Sequence, residues 1–274
     1  MRSLASLCRP LLGRMTDRTV LIIPTGGLRT GGLIGCAWVI LVALGACMVL
    51  AGPVRAETSA TITPQLSPDR LGARGAVGIR VQFADPSQGV PAPVRRMVLR
   101  FPAGMTLDLP HLSSCSAARL RARGPHGCPA ASALGRGHAL VRVRLGSQTT
   151  SENISMWVFL GPLRNIQPTV VVLARGYTPF DEQVVFRGSL VADVAPYGEQ
   201  LVMSIPPIKT LPLEPYGSIV TFSLTVGVAK PHRKHDQNTV TVPSTCPLGG
   251  FPLAGEFTYA DGSGGSAASM IRCP

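Results

Sequence analysis

From residue 75 onward the chain is cut into short runs in which apolar side chains recur at every second position, and Gly or Pro interrupts nearly every run. The clearest run is 219–228, where Val220, Phe222, Leu224, Val226 and Val228 alternate with Thr221, Ser223 and Thr225. Such a period sends successive side chains to opposite faces of an extended strand, one buried and one wet. Residues 75–83 repeat the pattern with Val77, Ile79, Val81 and Phe83, residues 94–101 with Met97, Leu99 and Phe101, and residues 138–145 with Ala139, Val141, Val143 and Leu145. Weaker strand signals fall at 57–65, 154–160, 169–174, 183–194, 200–205, 239–242, 256–259 and 270–272. Pro206, Pro207, Pro212 and Pro215 mark an extended connector. Only 115–123 has helix-forming composition, with Ser113 or Ser114 as cap and Gly124-Pro125 as stop. Many short strands, one helix, no heptad and no βαβ alternation predict an all-β, mainly antiparallel fold, a β-sandwich.

The 274 residues do not all enter that fold. Arg2, Arg9, Arg14, Arg18 and Arg29 against the single acid Asp17 precede an apolar run at 33–51 and then Pro53-Val54-Arg55-Ala56, the order of an N-terminal signal peptide with cleavage after Ala56. The run is also long enough to serve as a membrane anchor, although Gly31, Gly32, Gly35, Gly45 and Pro53 favour cleavage. Leu44-Gly45-Ala46-Cys47 is similar to the lipidation motif of bacterial lipoproteins, and Met15 offers a second start that would shorten the leader. The expected organisation is a leader at 1–56 and a single domain at 57–274, large enough to bury a core without a metal or cofactor.

Four cysteines follow the leader: Cys115, Cys128, Cys246 and Cys273. An even number beyond an export signal predicts two disulfides, and of the three possible connectivities the sequential one, Cys115–Cys128 and Cys246–Cys273, is expected. None lies in a C-x-x-C pair, and His232 and His235 are the one His pair at ligand-like spacing, so no metal site or cofactor is expected.

The fragments Val98-Leu99-Arg100-Phe101-Pro102-Ala103-Gly104, Cys115…Arg119-Leu120, Cys128-Pro129, Gly135-Arg136-Gly137, Phe222…Val226-Gly227 and Ser244-Thr245-Cys246-Pro247…Phe257-Thr258-Tyr259…Ile271-Arg272-Cys273 together resemble a group of exported actinobacterial proteins of unknown function. The resemblance covers most of residues 57–274. It implies a secreted or envelope-associated β domain and carries no catalytic residues.

Enzyme motifs are absent: no G-x-S-x-G, no P-loop, no H-E-x-x-H. Gly135-Arg136-Gly137 has half the form of a glycine loop but precedes a strand, which predicts a turn. Asp181 and Glu182, with Asp193 or Glu199, are the candidate carboxylates for a carbohydrate hydrolase, the alternative to a binding protein. His111, His126 and His138 flank the first disulfide and form a candidate cluster. Trp157, Phe159, Phe180 and Phe186 read as core or sheet-face residues, and Asn153-Ile154-Ser155 as an accidental glycosylation sequon.

Arginine is the remaining signal. The formal net charge is +12, and Lys occurs beyond the leader only at 209, 230 and 234, the last two in the basic tip Lys230-Pro231-His232-Arg233-Lys234-His235. Between Arg95 and Arg144 the single acid is Asp108. Arg96, Arg100, Arg119, Arg121, Arg123, Arg136, Arg142 and Arg144 are therefore the candidate binding residues for an anionic partner, because guanidinium groups make bidentate contacts with phosphate and carboxylate. If the strands carrying Arg96 and Arg100 and those carrying Arg142 and Arg144 are neighbours, they make one positive stripe. Export, and the lack of interleaved aromatics, exclude nucleic acid. The expectation is an exported, non-enzymatic envelope or extracellular protein that holds an anionic cell-wall polymer or membrane surface.

Overall fold

The computed structural model describes residues 58–109, 111–179, 181–209, 216–227 and 239–273. The expected leader with its cleavage site, the 33–51 anchor, Cys47, Phe180, Pro212, Pro215 and the basic tip 230–235 lie outside the described residues. The rest belongs to one unit, Arg55–Pro274.

Among the described residues thirteen strands form: β1 (Ser59–Ser67), β2 (Arg74–Ala84), β3 (Val94–Pro102), β4 (Thr106–Leu107), β5 (Ala133–Leu145), β6 (Gln148–Arg164), β7 (Gln167–Arg175), β8 (Gln183–Ala192), β9 (Tyr197–Ser204), β10 (Ser218–Val226), β11 (Val240–Thr241), β12 (Phe251–Tyr259) and β13 (Gly264–Ile271). Every pairing between them is antiparallel. The expected sandwich is corrected in one respect: the strands make one sheet, curled into a half-barrel, instead of two packed sheets. Its order is β13-β12-β3-β9-β8-β7-β6-β5-β10-β2-β11-β4, with β1 added to β2. The cause lies in the connections. β5 to β9 follow one another as hairpins, so no strand leaves the sheet to found a second one, while β3 joins β9 to β12 and β10 joins β5 to β2. A twisted sheet this wide has to curl, and the curl brings β1 against β13 and β12 without pairing.

The concave face carries the apolar parity of each strand. Val77, Ile79, Val81 and Phe83 meet Phe222, Leu99, Leu253 and Phe257 there. Phe83 stands edge-on to Phe257 and Tyr259, with ring centroids 4.8 and 6.2 Å away, a favoured aromatic geometry. Pro64, expected to end β1, lies inside it opposite Ile79; an edge strand tolerates a residue that donates no ladder hydrogen bond.

The convex face is covered at β7 and β8 by α1 (Ala117–Arg123). Its cap is Ser116, whose side chain accepts a hydrogen bond from the N–H of Arg119 at 3.2 Å, not Ser113 or Ser114. Cys115 stays outside the helix because its N–H is committed to the Leu160 carbonyl at 2.8 Å. Gly124 closes the helix, its N–H returning to the Leu120 carbonyl. Cys115, Ala117 and Leu120 seal Phe159, Val171, Leu173 and Val185 from solvent. Val170 to Leu173 are thus all buried, covered on one side by the barrel core and on the other by the helix.

Both disulfides join the expected pairs, with Cα–Cα distances of 5.4 Å for Cys115–Cys128 and 6.0 Å for Cys246–Cys273. The first pins the helix to the loop that follows it, and the second ties the β11–β12 connection to the end of β13. The predicted turn at Gly135-Arg136-Gly137 is instead the first part of β5, paired with β10 on one side and β6 on the other. A Cβ at Gly135 or Gly137 would collide with the carbonyls of Thr225 or Ser223, so the glycines serve close strand approach.

Candidate functional site

Side chains that face outward from β1, β2, β10, β5 and the first part of β6 form a convex surface that α1 does not cover. The registers align Thr63, Arg80, Ser223, His138 and Ser155 in one row across these five strands. A parallel row runs Gln65, Gly78, Thr225, Arg136 and Trp157. Farther along β5, Arg142 lies between Ser218 and Ser151, and Arg144 beside Thr149. The five strands contain one acid, Glu152, which shares the inward parity of Ile154 and is buried. The outward surface of these strands is therefore mostly Ser, Thr, Asn, Gln, His and Arg, with Leu140 and Trp157 among them, and carries no carboxylate. Positive potential there is not cancelled locally.

Arg80, Arg136 and Arg142 have no side-chain partner among the described residues. Arg144 is oriented by the loop between β2 and β3: its guanidinium donates to the Gln88 side-chain oxygen at 3.2 Å and to the Gln88 carbonyl. That loop is organised by Asp85, which accepts from the Ser87 hydroxyl and from the N–H groups of Ser87 and Gln88 at 2.7 to 2.9 Å. The Ser87 hydroxyl, with these amides and the charge of Arg144, holds the Asp85 carboxyl below its ordinary range.

The expected arginines fall into three groups. Arg136, Arg142 and Arg144 share the outer face of β5, joined by Arg80, which sequence reading had not counted. Arg119, Arg121 and Arg123 stand exposed on α1, over β7 and β8, and Arg121 donates to the Val185 carbonyl at 3.3 Å. Arg96 and Arg100 belong to β3, which β9, β8, β7 and β6 separate from β5. At about 4.8 Å per strand that is some 24 Å, so the single stripe expected of neighbouring strands does not form. Arg100 is moreover neutralised by Asp193 at 3.7 Å and Glu256 at 3.0 Å, and lies 5.7 Å from the Tyr197 ring centroid. Arg95, in the same strand, stacks on Tyr216 at 5.0 Å.

The hydrolase carboxylates do not converge. Asp181, before β8, faces Arg175 at 3.5 Å, whereas Asp193 follows the far end of that strand and points outward to Arg100. Glu199 shares the inward parity of Leu201 and Met203 and borders an apolar cavity. Glu182 borders a second cavity together with Glu152, whose other lining is Ala, Val, Ile, Met and Phe. The described residues of that wall offer no hydroxyl or amide to orient a sugar. Glu152 escaped the sequence reading, although an acid on the apolar parity of an alternating strand is a visible signal.

The histidine cluster is likewise not assembled: among the described residues no group of three His, Cys, Asp or Glu side chains stands together. His138 is exposed in the basic face, and His111 and His126 are exposed in loops. Phe159 is buried beneath α1, Trp157 packs partly against the same cluster, and Phe186 borders the second cavity. Among the described residues no helix is long and apolar enough to cross a membrane. No family model, no curated protein and no solved structure matches the chain.

Proposed function

We propose that this chain is an exported, non-enzymatic binding protein of the cell envelope or extracellular space that holds an extended anionic polymer or an anionic membrane surface on the convex face of β2, β10, β5 and β6. Residues 1–56 supply export, by cleavage after Ala56 or by retention through 33–51 or Cys47. Two disulfides are compatible with an oxidising compartment.

One observation carries the reading: Arg80, Arg136 and Arg142 share a face without acids, in rows of Ser and Thr. Their spacing selects the partner. Arg136 and Arg142 are six residues apart on one strand, about 20 Å, and Arg80 is two strands from the first, about 12 Å from it. No single small anion bridges such distances. Repeating phosphates or carboxylates along a chain, or headgroups in a leaflet, reach all three. Hydroxyl rows between the arginines supply neutral donors and acceptors for the sugar or glycerol units between charges.

The test is the salt dependence of binding to a phosphodiester wall polymer and to vesicles containing phosphatidylglycerol. Three counter-charges predict a slope of log K against log salt near about −2, so affinity falls about 18-fold between 50 and 200 mM salt. The double variant Arg136→Gln/Arg142→Gln is expected to lower the slope to about −0.7, a fall of about 2.6-fold over the same interval. Arg96→Gln, on a distant strand, should leave it unchanged. No binding at low salt, or an unchanged slope in the double variant, refutes the proposal.

A further inference from the structure

The inner side of the half-barrel contains a cavity that the basic face does not use. Its wall is aliphatic and aromatic: Val77, Leu134, Val158, Val172 and Leu224 from the sheet, closed on one side by Phe101, Met105 and Leu107. Of the polar side chains that the described residues bring to this wall, Thr106 is neutral and Glu199 is the sole ionisable one. Its volume is about 50 Å³, on a scale where one water takes roughly 10–15 Å³, so it accepts about four waters or the bulk of a four- to five-carbon chain.

Glu199 is unusual in this setting. It is half-buried in β9, between Phe101 of β3 and Ala192 of β8, and no hydrogen bond or ion pair reaches its side chain among the described residues. Burial raises its pKa, and no cation among the described residues opposes the shift. A core position this apolar would be filled by Leu or Met if packing were all that mattered, as it is at Leu201 and Met203 on the same parity. The carboxylate therefore marks the polar end of an otherwise greasy space.

The geometry points to a ligand site here for an aliphatic primary amine: its ammonium group meets the Glu199 carboxylate and the about four to five carbons next to it lie in the cavity. Shape supplies the apolar half of this match and the unpaired acid the charged half. A hydroxyl head would gain a hydrogen bond without the charge, and a carboxylate head would be repelled once Glu199 ionises.

The test uses n-hexylamine, n-hexanol and hexanoate as probes, followed by methyl chemical-shift titration of the folded protein at pH 8 and pH 4. Hexylamine is expected to perturb the cavity methyl groups and to bind at least about ten-fold more tightly than hexanoate at pH 8, the margin of a charge-assisted contact at a partly exposed site. Its preference over n-hexanol should shrink from pH 8 to pH 4, because falling pH protonates Glu199 while the amine keeps its charge. Glu199→Gln, which keeps the shape, should reduce hexylamine affinity to that of hexanol. Val226→Phe, enlarging a half-buried wall residue, should weaken all three probes while the rest of the spectrum stays folded. Equal affinity for the three probes at pH 8, or unchanged hexylamine binding in Glu199→Gln, overturns the assignment of the charged contact. Absence of any cavity shift overturns the site.

Discussion

The two disulfides differ in surroundings, so they should respond to a reductant one after the other. Cys246 lies in an exposed segment, whereas Cys115 is fully buried under α1, with Cys128 half-buried beside it. Exchange requires a thiolate to reach a sulfur in line with the bond, which solvent permits at Cys246 and the helix forbids at Cys115. The bonds close separations of 13 and 27 residues, worth about 3 and about 3.5 kcal/mol in the chain-entropy model. Their sum is comparable to the stability of a typical domain, about 5–15 kcal/mol. Removing Cys246–Cys273 alone by the paired Cys→Ser change should lower Tm by about 7–14 °C and leave a folded protein. Removing both should abolish cooperative melting. The assay is timed reduction with dithiothreitol under native conditions, alkylation of freed thiols and peptide mass spectrometry. Cys246 and Cys273 should be labelled first, and Cys115 and Cys128 only as near-ultraviolet circular dichroism is lost. Simultaneous labelling, or early labelling of Cys115, refutes the claim that α1 shields its sulfur.

Two further outcomes test local energetics. Ile166 sits at the β6–β7 turn with φ +70°, beside Asn165 at φ +48°, and is 91 % exposed; Ile166→Gly loses no burial and should stabilise by about 0.5–1 kcal/mol in urea unfolding, the left-handed penalty less the glycine entropy cost. Tyr259 is buried with no hydrogen-bond partner for its hydroxyl, and burial, with Asp261 adding to it, raises its pKa from 10.0 to about 12. Its neutral form is the one the fold accepts, so this contribution to stability is full below pH 10 and is lost as pH rises towards 12. Tyr259→Phe should be neutral or up to about 1 kcal/mol more stable at pH 7, and its melting temperature should lack the fall between pH 10 and 12 that the parent shows.

Local periodicity revealed most of what local periodicity encodes. β2, β3 and β10 were legible within a residue or two because Val77 to Phe83 and Phe222 to Val226 alternate without interruption and Met97, Leu99 and Phe101 recur at every second position, although Val98 between them is buried too. β13 was cut short because Gly264 to Ser269 are small residues with little propensity of any kind, and the start of β12 was masked by Pro252 and Gly255. Whether the sheet divides in two depends on which distant strands pair, and period carries no such information: β3 lodges between β9 and β12, and β10 between β5 and β2. The same limit governs the candidate site. That Arg136, Arg142 and Arg144 share a face follows from even spacing, but Arg80 joins them only because β10 stands between β2 and β5. Arg100 looked like its neighbours in sequence and differs because Asp193 and Glu256 arrive from far along the chain.

The position of β3 bears on how the protein reaches its fold. Its partners β9 and β12 begin at Tyr197 and Phe251, so Val94, Met97, Val98 and Leu99 precede either neighbour by about a hundred residues or more of chain. Pairings this remote in sequence form late, because loop closure must precede any reward, and an unpaired apolar strand is the kind of segment that seeds aggregation. Arg95, Arg96 and Arg100 interrupt that segment. In the finished sheet one stacks on Tyr216 and another is neutralised by two acids, but in the waiting chain all three are bare charges that repel a second copy of the same strand. Charges so placed within an apolar segment have the pattern of gatekeepers, and those of Arg95 and Arg100 are taken up once the sheet closes around them.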